Sequence, residues 1–198
     1  GEVFSKQNWN EKLNTYWDEQ EKDLNDYFVG STSDGMALNS LNMNKVYILT
    51  SNESASASEL LINGLASHIE VIQIGDKTTG KNVGSITVYD YVDNEQTKNP
   101  EHTYAMQPIV LKISNSDGFA DYSDGLLPDT IIEEDIQNLG VLGDSNEPLL
   151  ETVINIITGS GKINIPKAKM SRDLLIKDPL MLQRQQMIVE KKELYLIR

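Results

Sequence analysis

The thirty residues from 45 to 74 constrain the fold most. Lys45-Val46-Tyr47-Ile48-Leu49-Thr50 is a short β-branched and aromatic run, the pattern of a strand covered on both faces. Residues 51–55 are small and polar. A helix is predicted over 56–68, with Leu60, Leu61, Ile62 and Leu65 on its buried side, and residues 70–74 read as a second strand. Strand, helix and strand in that order make a crossover unit, so the two strands lie parallel and finish at the same edge of one sheet. The fold class is therefore α/β.

The flanking sequence adds elements to this unit. Trp9, Leu13, Tyr16 and Trp17, then Leu24, Tyr27 and Phe28, recur at three-to-four spacing and predict a helix over 8–28. Residues 30–35 are a loop by composition, and 75–80 a glycine- and threonine-rich turn. Val83, Ile86, Val88 and Tyr89 alternate with polar residues and predict a strand over 82–91. After a polar loop at 92–101, a further strand is expected over 104–113, with Pro108 forcing an edge position or a bulge. Residues 115–128 are rich in Gly, Asp and Ser and read as irregular. A helix is expected over 148–157, with Pro148 at a first helical position. Gly159-Ser160-Gly161 breaks the chain, and residues 169–193 again show helical spacing. No internal repeat is present.

Composition limits the class of protein. With 198 residues, 39% hydrophobic and 24% charged, the chain has the make-up of a soluble globular domain. No run approaches the roughly 20 apolar residues of a membrane helix. Gly1-Glu2-Val3-Phe4 carries no signal peptide and reads as the start of an internal piece. The absence of cysteine excludes a thiol nucleophile, a thiolate metal site and disulfides. A net charge of −13 argues against a nucleic-acid partner. That charge is uneven: from Ser160 onward there are 9 Lys/Arg and 4 Asp/Glu, a net of +5, which leaves −18 on the rest. The basic end is expected to dock on the acidic body, to serve self-association or to meet a partner; the alternative is an ordinary solvated segment.

Ser56 stands where the first strand hands over to the helix. Backbone N–H groups at a helix N-terminus have no intrahelical partner and can hold a developing oxyanion, which the helix dipole also favours. Ser56-x-x-Glu59 is equally a capping box, with Ser54 and Ser58 as competitors for either role. A serine needs a base. His68 lies about 18 Å along the same helix at 1.5 Å per residue, too far to act, and His102 falls in a polar loop. A lysine serves instead when burial favours its neutral form. Lys81 follows the second strand, so the crossover carries Ser56 and Lys81 to one rim of the sheet, where α/β folds place their sites.

Ser54-Ala55-Ser56-Ala57-Ser58-Glu59, followed by Gly75-x-x-Thr78-x-Gly80-Lys81, resembles the carboxyl-terminal processing (tail-specific) peptidases, family S41. Gly84, Gly125-Leu126-Leu127-Pro128-Asp129 and Asp144-x-x-Glu147-Pro148-Leu149 extend the resemblance, especially to envelope members of Bacteroides-like bacteria. It covers about residues 1–158, leaving 159–198 as a basic, partly helical extension. The resemblance implies a ClpP/crotonase-like core of ββα units, incomplete at its N-terminus, and a serine endopeptidase acting on peptide or protein substrates without cofactor or metal. It makes Ser56 the nucleophile and Lys81, 25 residues later, its base. It also implies a cell-envelope location in a Gram-negative bacterium and a PDZ-like module in a longer parent.

The Ala57 N–H, next to the nucleophile, is the expected oxyanion donor. Two departures stand out. Many members carry a glutamine four residues after the lysine; here Ser85 occupies that place as a shorter lysine-orienting candidate. The upstream glycine-rich segment that supplies a second oxyanion N–H is not in the sequence, so the chain alone is expected to turn over weakly or not at all.

Other readings are weaker. Gly75-Asp76-Lys77-Thr78-Thr79-Gly80-Lys81-Asn82 nearly spells a phosphate-binding loop, but Asn82 replaces the Mg²⁺-binding hydroxyl and a strand, not a helix, is predicted next. Glu133-Glu134-Asp135 lacks the pattern of a calcium loop. A non-catalytic peptide-binding or scaffold relative of the same fold is the main alternative.

Overall fold

The computed structural model describes residues 1–160; the expected helical spacing over 169–193 lies outside them. The elements are β1 Val3–Trp9, α1 Glu11–Glu19, β2 Asn25–Tyr27, β3 Lys45–Thr50, α2 Ala57–Ala66, β4 Glu70–Gly75, β5 Val83–Ser85, β6 Val88–Tyr89, β7 Ala105–Met106, β8 Ile109–Asn115, β9 Thr130–Ile131 and α3 Pro148–Thr158. The fold is α/β, as expected.

The crossover is present. β3 and β4 pair in parallel from Lys45↔Glu70 to Thr50↔Gly75. β9 joins on the far side of β4, giving the order β3-β4-β9. A second sheet, β2-β1-β8-β5, is antiparallel, and β6 and β7 form a separate ribbon. α2 packs against β4 of one sheet and against β1 and β8 of the other, while α3 covers β3 and β4. The core lies under α3: Ile74, Ile132, Leu149 and Val153 are buried together, with Tyr47, Ile72 and Ile156 packed around them. α3 starts as its sequence predicts. Pro148 is at the first turn, and the Glu147 carboxylate accepts the Leu149 and Leu150 N–H groups at 3.1 and 2.7 Å.

The helix expected over 8–28 is instead a strand, a short helix and a strand. Residues 5–9 pair with 111–115 of β8, and tertiary pairing overrides the local period. The Asn10 side chain accepts the Leu13 N–H and starts α1 after the strand has ended. Glu21 takes φ +51, and the Lys22 N–H closes onto the Trp17 carbonyl at 2.9 Å, ending the helix in a Schellman turn without glycine. The aromatic spacing survives across the break, because Trp9 on β1 meets Trp17 on α1 edge-on at 6.2 Å.

The strands expected over 82–91 and 104–113 are each split in two. Pro108 lies in the gap between β7 and β8, and the β5–β8 register slips between Gly84 and Ser85 at the adjoining end of β8. β8 itself is an interior strand, between β1 and β5. β9 was not predicted; it is two residues within an irregular stretch.

Candidate active site

Because Thr50 and Gly75 are register partners, the loops after β3 and β4 leave the same edge side by side. Short bonds lace them together. The Thr50 hydroxyl donates to the Asp76 carbonyl at 2.7 Å, the Thr79 N–H to the Ser54 carbonyl at 2.9 Å, and the Thr79 hydroxyl to the Asn52 carbonyl at 3.0 Å. A third loop, 122–129, joins them: the Leu126 N–H donates to the Thr78 hydroxyl at 2.7 Å, and the Thr78 N–H to the Leu126 carbonyl at 3.1 Å. The approach is close enough to require glycine. A Cβ on Gly80, at φ +97, would stand 2.2 Å from the Ser123 carbonyl oxygen.

Ser56 occupies the turn into α2 with φ 57 and ψ −109, a backbone state that costs a non-glycine residue on the order of 1–3 kcal/mol. Its hydroxyl faces the Glu59 N–H as one half of a capping box. The other half of the box is firm: the Ser56 N–H donates to Glu59 Oε2 at 2.9 Å. The competitor Ser54 is occupied, its Oγ accepting the Ser51 N–H at 3.1 Å. Ala57 is the first residue of α2, where helix geometry supplies no partner for its N–H.

Glu59 is the residue that the sequence reading undervalued. Its side chain is fully buried. Oε1 accepts the Thr78 hydroxyl at 2.5 Å and the Gly80 N–H at 2.6 Å; Oε2 accepts the Ser56 N–H and the Lys81 N–H, the latter at 2.7 Å. The Ser56 and Lys81 nitrogens therefore lie within the sum of those two distances, 5.6 Å, of each other. The expected apolar face of α2 holds at Ile62, which is buried, and at Leu60 and Leu65, which are half-buried, but not at Leu61. The residues that α2 buries are Glu59, Ile62, Asn63 and Gly64, while Leu61 is 49% exposed.

Lys81 is exposed, and Ser85 is exposed at the bulged end of β5. Asn82 is buried and structural, its Nδ2 donating to the Ala120 carbonyl at 2.6 Å; strand β5, not a helix, follows it. His68 contacts the Val3 carbonyl at 2.9 Å beyond the far end of α2, and His102 contacts Asp90 at 3.3 Å. Neither is placed to serve Ser56.

Tyr122 closes the floor. It is buried near Glu59 and hydrogen-bonded to Asn63, and its phenol is pushed up to about 12, first by burial and then by the Glu59 carboxylate. The folded state favours the neutral phenol. That contribution is complete below the ordinary value of about 10 and is lost as pH rises from there through 12, amounting to roughly 2–3 kcal/mol. Tyr122 should ionise about two pH units late in an ultraviolet titration, and Tyr122→Phe should remove that step. A step near 12 that keeps its full amplitude in Tyr122→Phe would contradict the assignment.

The model of peptidase family S41 matches residues 4–115, a segment that contains Ser56, Glu59 and Lys81. A Bacteroides fragilis protein assigned to the S41 proteases superposes with a TM-score of 0.63 and 23% identity, over 82% of this chain and 38% of that one. This chain thus spans well under half the length of that relative. The photosystem II D1 C-terminal processing protease (TM-score 0.35, 21% identity, 48% of this chain and 21% of that one) and a Streptococcus agalactiae lipoprotein (0.42, 14%, 65% and 40%) are more distant. No curated protein matches.

Proposed function

Since the chain belongs to peptidase family S41, with more than half of its residues inside the matched segment, we propose that it forms the catalytic part of a serine endopeptidase in which Ser56 is the nucleophile and Lys81 its base. The observation that carries this reading is the shared carboxylate: one oxygen of Glu59 holds the backbone of both residues.

In this mechanism the neutral Lys81 amine takes the Ser56 hydroxyl proton as the serine oxygen attacks a peptide carbonyl. The Ala57 N–H stabilises the tetrahedral oxyanion. The lysine ammonium then gives its proton to the departing amine, and water releases the acyl group by the reverse sequence. Desolvation makes a lysine a competent base. Lys81 is exposed here, so a peptide lying across the rim would supply that cover. Ser85, four residues on, is the candidate for orienting the lysine. An envelope location and a PDZ-like module in a longer parent belong to the same proposal; among the described residues no helix is long and apolar enough to cross a membrane.

A fluorophosphonate traps an activated serine as a covalent adduct. In the longest form of the protein that carries these residues, mass spectrometry should locate the adduct on Ser56. An adduct on Ser54 or Ser58 with Ser56 unmodified would overturn the assignment.

A further inference from the structure

We propose that the basic C-terminal segment, residues 161–198, docks on the surface formed by residues 131–149 of its own chain. The charge pattern is sharply divided. Between Lys112 and Lys162 there are ten Asp/Glu and no Lys or Arg, whereas residues 161–198 carry nine Lys/Arg and four Asp/Glu. The acidic stretch is not merely solvated. A groove beside the N-terminus of α3 is lined by Ile132, Glu133, Asp135, Leu139, Glu147 and Leu149. Next to it Leu139, Val141 and Leu142 are 41%, 70% and 97% exposed. Apolar side chains set among carboxylates suit a segment that is itself basic and apolar. Residues 161–198 are of that kind, with Ile163, Ile165, Leu174, Leu175 and Ile176 interspersed among Lys167, Lys169, Arg172 and Lys177.

Tether geometry favours the same chain over a second copy. The segment begins just past the C-terminal end of α3, and α3, at 11 residues, spans about 16 Å at 1.5 Å per residue. Roughly five extended residues return that distance at about 3.3 Å each, and 38 are available. A linker of that length gives an effective concentration of about millimolar. The Ile132 N–H donates to the Gly75 carbonyl at 2.9 Å, so the groove adjoins the strand ends that carry the Ser56 and Lys81 loops. The docking does not depend on the peptidase reading.

The chain has no cysteine, so a pair can be placed without background. Leu142→Cys with Leu174→Cys tests the docking. Lys12→Cys with Leu174→Cys is the control, on α1, which packs on β1 rather than beside α3. With a short bis-maleimide at about 0.1 M salt the first pair should cross-link within one chain at least about tenfold faster than the control. Lys167→Glu, Lys169→Glu and Arg172→Glu together should remove most of that advantage, as should about 1 M salt, where screening acts within about 3 Å. Equal rates for the two pairs, or an advantage untouched by charge reversal, would overturn the proposal. So would cross-linked dimers formed between chains carrying one cysteine each, which would make a second copy the occupant.

Discussion

Glu59→Gln is expected to destabilise the protein by roughly 3–5 kcal/mol, almost as much as Glu59→Ala, and to abolish turnover with it. The similarity of two unlike substitutions is the informative part. Both carboxylate oxygens are acceptors, each facing two donors: Thr78 Oγ1 and the Gly80 N–H on Oε1, the Ser56 and Lys81 N–H groups on Oε2. A glutamine amide has one acceptor oxygen: its NH₂ group in the place of Oε2 meets two N–H groups that cannot receive it, and in the place of Oε1 it meets the Gly80 N–H, where only the Thr78 hydroxyl can turn to accept. Thr78 is buried with the side chain and the three N–H bonds are part-buried, and each buried donor left unpaired costs about 1–3 kcal/mol. Glu59→Asp keeps both acceptors but is one methylene short. Denaturant unfolding of the three variants checks the order, with aspartate expected to lie between wild type and the other two. A glutamine variant as stable as wild type would show that the carboxylate does not clamp the two loops.

Ser56→Gly should do the opposite to stability while removing activity. Glycine adopts the φ 57, ψ −109 turn without the penalty that serine carries, so the variant should gain on the order of 1 kcal/mol. The hydroxyl's capping-box contact with the Glu59 N–H offsets little of this gain, because glycine in place of a serine cap costs only about a few tenths of a kcal/mol. Turnover, by contrast, should fall by about 10⁴–10⁶-fold, as it does when a covalent nucleophile is deleted. Strain retained at one residue, with its removal both stabilising and inactivating, is the signature of a side chain held for chemistry. A thermal melt and a peptide-hydrolysis assay on the same variant separate the two effects. A glycine variant that melts lower than wild type would mean the serine is there as a cap.

The contrast between these two residues shows what the sequence made legible. The crossover was readable because an unbroken β-branched run, a helix and a second strand admit one topology, and that topology alone put Ser56 and Lys81 at one rim. The role of Glu59 was not readable from its neighbourhood, since three of its four donors come from residues 78–81. A signal did exist: Glu59 and Asn63 share a helix face with Ile62, and a polar pair on a buried stripe asks for partners. The backbone state of Ser56 left no mark, because nothing in a run of small residues distinguishes a strained turn from a relaxed one. The N-terminal error has a different cause. Trp9 and Trp17 do meet, but from a strand and a helix, so helical spacing was satisfied by tertiary contact rather than by one continuous helix. Short β9 exists only through its pairing with Ile74 and Gly75, which no local pattern encodes.

Peptide hydrolysis by Ser56→Ala, Lys81→Ala and the double variant, assayed in the longest form of the protein that carries both residues, decides whether the two act as one unit. Each single substitution should lower the rate by about as much as the double one, because neither group works without the other. Independent, multiplying losses, or a Lys81→Ala variant that retains the wild-type rate, would contradict a serine–lysine pair.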